Sequence, residues 1–165
     1  MSDADYKKII NNTVGGVLEQ TAFMFPEPAD MVEGVSFEEF DFIIVSLDFT
    51  GDRSGSVKMI VPVEFCGELS ANLLGEEIGD SDPGENNFDA AREMLNIVAG
   101  QLLVSIFGDK ALFSLANLQA KSLDKEEIFG IIGETDYACS MVDDYPVITI
   151  FSLEGKIYEH KSIGG

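Results

Sequence analysis

Hydrophobic residues recur at steps of three and four along the first stretch of the chain, a spacing that is typical of an amphipathic helix. The residues that follow this spacing are Tyr6, Ile10, Val14, Val17, Thr21 and Met24. Ser2 or Asp3 can cap the start of the helix. Pro26 is expected to end it, because proline disfavours helical backbone in the residue before it. The chain is therefore predicted to open with a long helix that buries one face.

The pattern then predicts a β-hairpin followed by a short helix. Residues 40–49 are rich in β-branched and aromatic side chains, as expected of a largely buried strand. A turn over residues 50–55 contains two glycines and leads into a second strand over residues 56–63. A short helix is expected from about residue 64 to residue 74. The polar residues 76–85 are predicted to form a solvated connector.

The second part of the chain repeats this plan. A helix is predicted over residues 87–107, and strands are predicted near residues 111–118, 127–138, 147–153 and, as a candidate last strand, 156–160. Glu19 and Glu93 fall at the same stage of the two long helices. The expected fold class is α+β, with two long helices from a duplicated helix-plus-strands unit packed on an antiparallel-rich β-sheet. The whole chain, 1–165, is expected to be one domain with pseudo-repeat halves at about 1–78 and 84–165.

The second long helix has two different faces. Its apolar stripe is made of Phe88, Ala91, Leu95, Val98, Leu102 and Ile106. The opposite face carries residues spaced i, i+4, i+7 and i+11, namely Asp89, Glu93, Asn96 and Gly100. Gly100 leaves room beside the polar groups, and the apolar Ile97 borders them. A docking surface often has this arrangement, but the periodicity alone favours an ordinary solvated helix face.

Composition and charge narrow the classes of function. The chain has 165 residues, which is the size of one domain. Ten Lys and Arg stand against thirty Asp and Glu, so the net charge is −20. Such a surplus repels phosphate backbones and anionic lipid surfaces, so we expect no nucleic-acid partner and no membrane partner. The chain is 45% hydrophobic and contains twelve Phe, which excludes a disordered acidic tail.

The remaining sequence signals predict a cytoplasmic protein without a metal site. No basic start with an apolar run marks a signal peptide, and no apolar run approaches the ~20 residues of a membrane span. Cys66 and Cys139 lie far apart without metal-type spacing and are expected to be reduced, buried thiols. The acidic segment 80–91 fails as a calcium loop, because Gly84 falls at its fifth position and Ala91 at its twelfth.

The polar face of the second long helix resembles a known motif. Residues 89–96 read Asp-Ala-Ala-Arg-Glu-Met-Leu-Asn, which is similar to the [Asp/Ser]-x-x-x-Glu-x-x-Asn pattern of the CheC/CheX family of chemotaxis phosphatases. Residues 97–103 and 17–25 also look like that family, and the similarity covers nearly the whole chain. CheC-like members tend to carry two such motifs and CheX-like members one. The first helix here has Glu19 but neither the Asp/Ser nor the Asn, so the chain resembles the CheX-like type.

The chain departs from the CheC-type pattern at one place. That pattern continues with a proline some two dozen residues after the Asn. Here the corresponding region is Leu118-Gln119-Ala120, and no proline occurs between Pro83 and Pro146. The local geometry of the strand predicted there is therefore of particular interest.

The resemblance implies hydrolysis of the phospho-aspartate on a CheY-like response regulator. It implies catalytic roles for Asn96, which would orient the attacking water, and for Glu93, which would pair with the partner's lysine. Asp89, Gly100 and Ile97 are expected to contribute to docking of the partner. The resemblance implies no metal or other cofactor in this chain, because the Mg²⁺ is expected in the partner's receiver domain. It also implies a homodimer, formed through a sheet edge.

The sequence is also compatible with a second function. A domain of the same fold can act as a non-catalytic binding module that recognises a receiver domain or a flagellar-motor protein. The intact pair of Glu93 and Asn96 favours the enzyme, whereas the incomplete motif of the first helix favours the binding module.

The charge of the chain is concentrated before the motif. Residues 59–91 contain no Lys or Arg but eight acidic residues, namely Glu64, Glu68, Glu76, Glu77, Asp80, Asp82, Glu85 and Asp89. This stretch leads directly into the motif helix. It is expected to favour partners that present lysines and to make their association faster at low salt.

Overall fold

The computed structural model describes residues 2–29, 37–73 and 83–154 of the chain. Helices and strands follow one another in the order α1 Asp3–Ala22, β1 Glu27–Ala29, a 3₁₀ helix Phe37–Glu39, β2 Phe42–Gly51, β3 Gly55–Pro62, α2 Val63–Leu73, α3 Pro83–Phe107, β4 Phe113–Leu123, α4 Lys125–Glu134, β5 Ala138–Val142 and β6 Tyr145–Leu153.

The six strands of the described residues form one sheet, and every neighbouring pair is antiparallel. The strand order is β1-β5-β6-β3-β2-β4. This order is unchanged when β1, β2 and β3 are exchanged with β4, β5 and β6. The predicted α+β class with an antiparallel sheet is confirmed. The order is one that a duplicated unit would produce, and the duplication itself stays a prediction.

The helices lie on both faces of the sheet. The larger hydrophobic cluster joins residues of α1, α2 and α3 to one face, with Leu18, Phe65 and Leu95 among its fully buried members. A smaller cluster on the other face brings Ile128 of α4 and Phe37 of the 3₁₀ helix onto the sheet. The side that carries α3 is therefore separated by the sheet from the side that carries α4.

The first helix begins where the sequence predicts and ends earlier. The Ser2 side chain accepts a hydrogen bond from the Asp5 amide at 3.2 Å, and the Asp5 carboxylate accepts one from the Ser2 amide at 3.1 Å. This reciprocal capping satisfies backbone donors that the first helical turn leaves free. The helix ends at Ala22 rather than next to Pro26, because Phe23 takes a left-handed conformation with φ 57°.

The strand predicted over residues 127–138 is wrong. Residues Lys125–Glu134 form helix α4, and strand β5 begins only at Ala138. Asp124 caps the helix, because its carboxylate accepts a hydrogen bond from the Glu127 amide at 2.8 Å. The side chain of Ile128 is fully buried in the smaller cluster. Ile131 and Ile132, three and four positions later, pack against the same cluster. The β-branched content of this segment favoured a strand, but a capped start and a buried helical face outweigh that preference.

The other predicted elements agree with the structure to within a few residues. The hairpin of β2 and β3, the short helix α2 and the strand β6 are confirmed. Helix α3 begins at Pro83, four residues before the predicted start, and β4 extends five residues beyond the predicted strand. Most of the predicted connector and the candidate strand at 156–160 lie outside the described residues.

Helix α3 is unusually apolar for its length. Its segment Asn87–Phe107, with 21 residues and a mean hydropathy of 1.3, is long and apolar enough to cross a membrane by length and composition alone. Leu95, Val98 and Leu102 are nevertheless fully buried inside the protein. Packing of α3 into the larger cluster therefore accounts for its composition.

Candidate functional site

The outward face of α3 carries all five residues predicted for the site. Asp89, Glu93 and Asn96 are exposed, and Ile97 and Gly100 are partly exposed. Burial of the predicted apolar stripe on the opposite face holds the helix in this orientation. A rise of about 1.5 Å per residue places Asp89 and Asn96 about 10 Å apart along the helix axis. The structure therefore presents a compact polar surface to solvent.

Glu93 and Asn96 lie one turn apart on the exposed face of α3. Within the part of the chain that the structure describes, neither side chain takes part in a hydrogen bond or an ion pair. A carboxylate and an amide held on a rigid helix without internal partners are free to bind groups of another molecule. This is the arrangement that the predicted roles of the two residues require.

Asp89 differs from Glu93 because it has a partner in its own helix. Arg92 donates from Nη1 to the Asp89 carboxylate at 2.9 Å, and the two side chains are 36% and 52% exposed. An exposed pair of this kind contributes about 0–1 kcal/mol to stability. Arg92 was not predicted as part of the site, although its i, i+3 spacing from Asp89 is visible in the sequence.

The surface around Gly100 is open. A Cβ atom added at Gly100 would meet no atom within 4 Å, so internal packing does not require glycine there. Val104 lies one turn further along and is 53% exposed. Val104 lies eleven positions after Glu93, which places the two about 20° apart around the helix axis. Val104 is thus an apolar continuation of the predicted surface that the motif alone did not indicate.

The corresponding position on α1 cannot present a second site. Glu19 is exposed there, as Glu93 is on α3. Ala22 occupies the place that Asn96 has on α3, and it is fully buried at the end of the helix. At the positions that match Glu93 and Asn96, the first helix therefore offers one carboxylate and no amide.

The region that lacks the family's proline contains a β-bulge. Between the pairs Ser46–Gln119 and Asp48–Ala116 the register of β4 against β2 shifts by one residue. Asn117 lies in this bulge with φ 58°, and its amide donates to the Asp48 carboxylate at 2.9 Å. The chain thus distorts β4 without a proline.

The two cysteines are unsuited to nucleophilic chemistry. Both are free and buried. Burial raises the pKa of the Cys66 thiol to about 12, with a further contribution from Glu64, and burial raises the pKa of the Cys139 thiol to about 11. Because the thiolate is the reactive form, both thiols are inert near neutral pH. Among the described residues, no group of His, Cys, Asp and Glu could hold a metal ion.

The segment that contains the predicted site residues resembles a known protein family. The sequence model of the family described as chemotaxis phosphatase CheX matches residues 43–121, a segment that runs from β2 to β4 and contains all the predicted site residues. This segment is similar to the CheC/CheX family. No match was found among curated protein sequences.

Solved structures of CheX proteins share the fold. The chemotaxis protein CheX from Desulfovibrio desulfuricans is 16% identical, with a TM-score of 0.67, and the match covers 91% of this chain and 99% of that one. The CheX of the CheX-CheY-BeF3-Mg²⁺ complex from Borrelia burgdorferi is 15% identical, with a TM-score of 0.62 and coverage of 90% and 97%. FliY from Thermotoga maritima is 13% identical, with a TM-score of 0.57 and coverage of 98% and 94%.

Proposed function

We propose that this protein is a phosphatase that hydrolyses the phospho-aspartate of a CheY-like response regulator. The observation that carries the proposal is the exposure of Glu93 and Asn96 one turn apart on a helix of a CheX-like fold, where neither side chain has a partner among the described residues. The Borrelia CheX structure, which contains CheY, BeF3 and Mg²⁺, supports a CheY-like partner.

Asn96 orients the attacking water, which the receiver domain does not do by itself. Its amide accepts from and donates to a water molecule and holds the water oxygen in line with the phosphorus. The water oxygen forms the new bond to phosphorus, the bond to the aspartyl oxygen breaks, and the products are inorganic phosphate and a free carboxylate. Mg²⁺ in the receiver would neutralise phosphoryl oxygens during this step. Asn96 has no titratable proton, so it orients the water and does not act as a base.

Glu93 positions the partner. Its exposed carboxylate pairs with a lysine of the receiver and sets the register in which Asn96 enters the phosphorylation site. Ile97, Gly100 and Val104 form the apolar and open part of the same docking surface. Asp89 acts at its border, where Arg92 already holds its carboxylate.

The test follows phosphate release from a CheY-like receiver that has been phosphorylated with a small phosphodonor. Asn96→Ala is expected to lower kcat by about 10²-fold or more, because the water loses its in-line position. Glu93→Ala is expected to raise KM by about tenfold through weaker docking. Asn12→Ala and Glu19→Ala are matched controls, because both residues are exposed on α1, and neither should change the rate.

A binding module of the same fold is the second candidate, and the incomplete motif of α1, where the buried Ala22 stands at the position of Asn96, favours it. In that case the wild-type protein binds the phosphorylated receiver but leaves its decay rate unchanged. This result would overturn the phosphatase and leave the docking surface intact.

We also infer a cytoplasmic homodimer. Strand β4 has eleven residues, and within the described residues it pairs only through β2, so its outer edge is free. The side chains of Leu115 and Leu118 on this strand are partly exposed. Such an edge is a template for pairing with a second copy. The free, buried thiols support a reducing compartment.

A further inference from the structure

A groove lies on the face of the sheet that is turned away from α3. It runs between α4 and the strands β2, β3 and β4, and its volume is about 300 Å³. Ile44 and Ile131 form an apolar part of its lining, and Ser46, Lys58, Gln119 and Lys121 form a polar part. This volume is at the small end of the range for ligand pockets, and the lining is more polar than that of a typical pocket.

The groove is a positive region on a strongly acidic protein. The chain has only ten Lys and Arg, and two of them, Lys58 and Lys121, line this one groove. The ion pairs found in the described part of the chain join Arg92 to Asp89 and Lys125 to Glu38. Neither groove lysine therefore has a carboxylate within 4 Å among the described residues. Their charges are available to an anion from outside.

Strand register places the polar groups side by side. Ser46 on β2 lies between Gln119 on β4 and Lys58 on β3, and Lys121 follows Gln119 on the same face of β4. Among the described residues, the Ser46 hydroxyl and the Gln119 amide take part in no hydrogen bond. Two ammonium groups, a hydroxyl and an amide can together donate to several oxygens of one anion.

The β-bulge at Asn117 creates this arrangement. Ala116 pairs with Asp48 on one side of the bulge. If this register continued along β4 without the bulge, Leu118 would lie opposite Ser46 and Ala120 would lie opposite Ile44. The extra residue reverses the alternation, so that Gln119 and Lys121 face the groove instead. A non-glycine residue with φ 58° maintains the distortion. A local irregularity of β4 thus turns an apolar wall into a polar one.

The single carboxylate in the lining does not neutralise the lysines. Glu127 accepts a hydrogen bond from the Asp124 amide at 3.3 Å, as part of the capping arrangement that begins α4. Its position at the groove leaves it able to accept from a hydroxyl or amino group of a ligand.

We propose that this groove binds a small organic phosphate of about the size of a nucleoside monophosphate. The phosphate lies between Lys58 and Lys121 above Ser46, and the uncharged body packs on Ile44 and Ile131. The site is separated by the sheet from the docking face of α3, so it does not depend on the proposed phosphatase activity.

The test uses AMP as the probe, measured by isothermal titration calorimetry at low salt. AMP is expected to bind saturably, with an affinity that falls as salt screens the lysines. Adenosine and inorganic phosphate are each expected to bind at least about tenfold more weakly, because each keeps only part of the contacts. Lys58→Met and Lys121→Met should each lower the affinity for AMP by about tenfold or more.

Lys110→Met is the matched control, because Lys110 is exposed beyond the end of α3 and does not line the groove. It should bind AMP like the wild type, and circular dichroism should show that all variants fold. The proposal would be overturned if AMP showed no saturable binding. It would also be overturned if the double variant Lys58→Met and Lys121→Met bound AMP with the same affinity as the wild type. If AMP fails to bind and Lys121→Met instead changes the sedimentation of the protein, the groove is an interface between copies.

Discussion

The acidic and amide side chains on the exposed face of α3 differ in whether they have an interaction partner within the described part of the chain. Arg92 occupies the carboxylate of Asp89, whereas Glu93 and Asn96 have no such partner among the described residues. The motif predicted which side chains would be exposed, because one helix carries all of them and helical spacing alone sets their face. It did not predict the Asp89–Arg92 pair or the exposed Val104, since neither belongs to the motif.

Gly100 provides a prediction at this scale. A helical glycine costs about 0.5–1 kcal/mol relative to alanine. Because nothing lies within 4 Å of an added Cβ, Gly100→Ala should raise the free energy of unfolding by about that amount, as measured by urea denaturation. The same methyl group would project from the docking surface, so KM for the phosphorylated receiver should rise.

The control for this substitution is Gly130→Ala. Gly130 is also helical with open space around it, but it lies on α4 on the opposite face of the sheet. It should stabilise the protein similarly and leave KM unchanged. A stabilised Gly100→Ala protein with unaltered KM would exclude Gly100 from the docking surface.

Helices and strands were predictable from the sequence where a hydrophobic pattern or a turn motif within the segment itself indicated them. Helices α1 and α3 each carry a sustained apolar period, and the hairpin of β2 and β3 has a glycine-rich turn. Helix α4 is short and rich in β-branched residues, so its capping residues Asp124 and Glu127 were the decisive signal. The bulge in β4 was not predictable, because register depends on which strand pairs with which and no local feature marks it.

The free edge of β4 leads to a prediction about assembly. Lysine at an edge strand opposes pairing with another strand. The double variant Leu115→Lys and Leu118→Lys should therefore shift a dimer to a monomer in sedimentation equilibrium. Phe25→Lys is the control, since Phe25 is 68% exposed at the end of α1 and away from β4. A wild-type protein that is monomeric at all concentrations would contradict the inferred dimer.

The whole molecule carries a charge of −20, and its distribution affects how partners approach. Raising the salt from about 0.05 M to about 0.5 M shortens the screening length several-fold. The association rate with a lysine-presenting receiver should then fall by about tenfold or more, as measured by stopped-flow fluorescence.

A charge-reversal comparison locates this effect. Glu64 and Glu68 are exposed on α2, which packs against α3. Reversing both to lysine should slow association at low salt and reduce its salt dependence. Reversing Glu126 and Glu134 to lysine changes the net charge by the same amount, and it should have a much smaller effect because both residues lie on α4, on the other side of the sheet. Equal effects at both places would mean that only net charge matters.

The strand order has a consequence for the integrity of the fold. Strand β1 of the first half pairs with β5 of the second, and β4 of the second half pairs with β2 of the first. Each of the two edge strands, β1 and β4, therefore pairs with a strand from the other half of the chain. Neither half holds a complete sheet, so the halves are interlocked and cannot be separated as independent folding units. The two sides of the molecule, one with the docking helix and one with the groove, should therefore fold and unfold together.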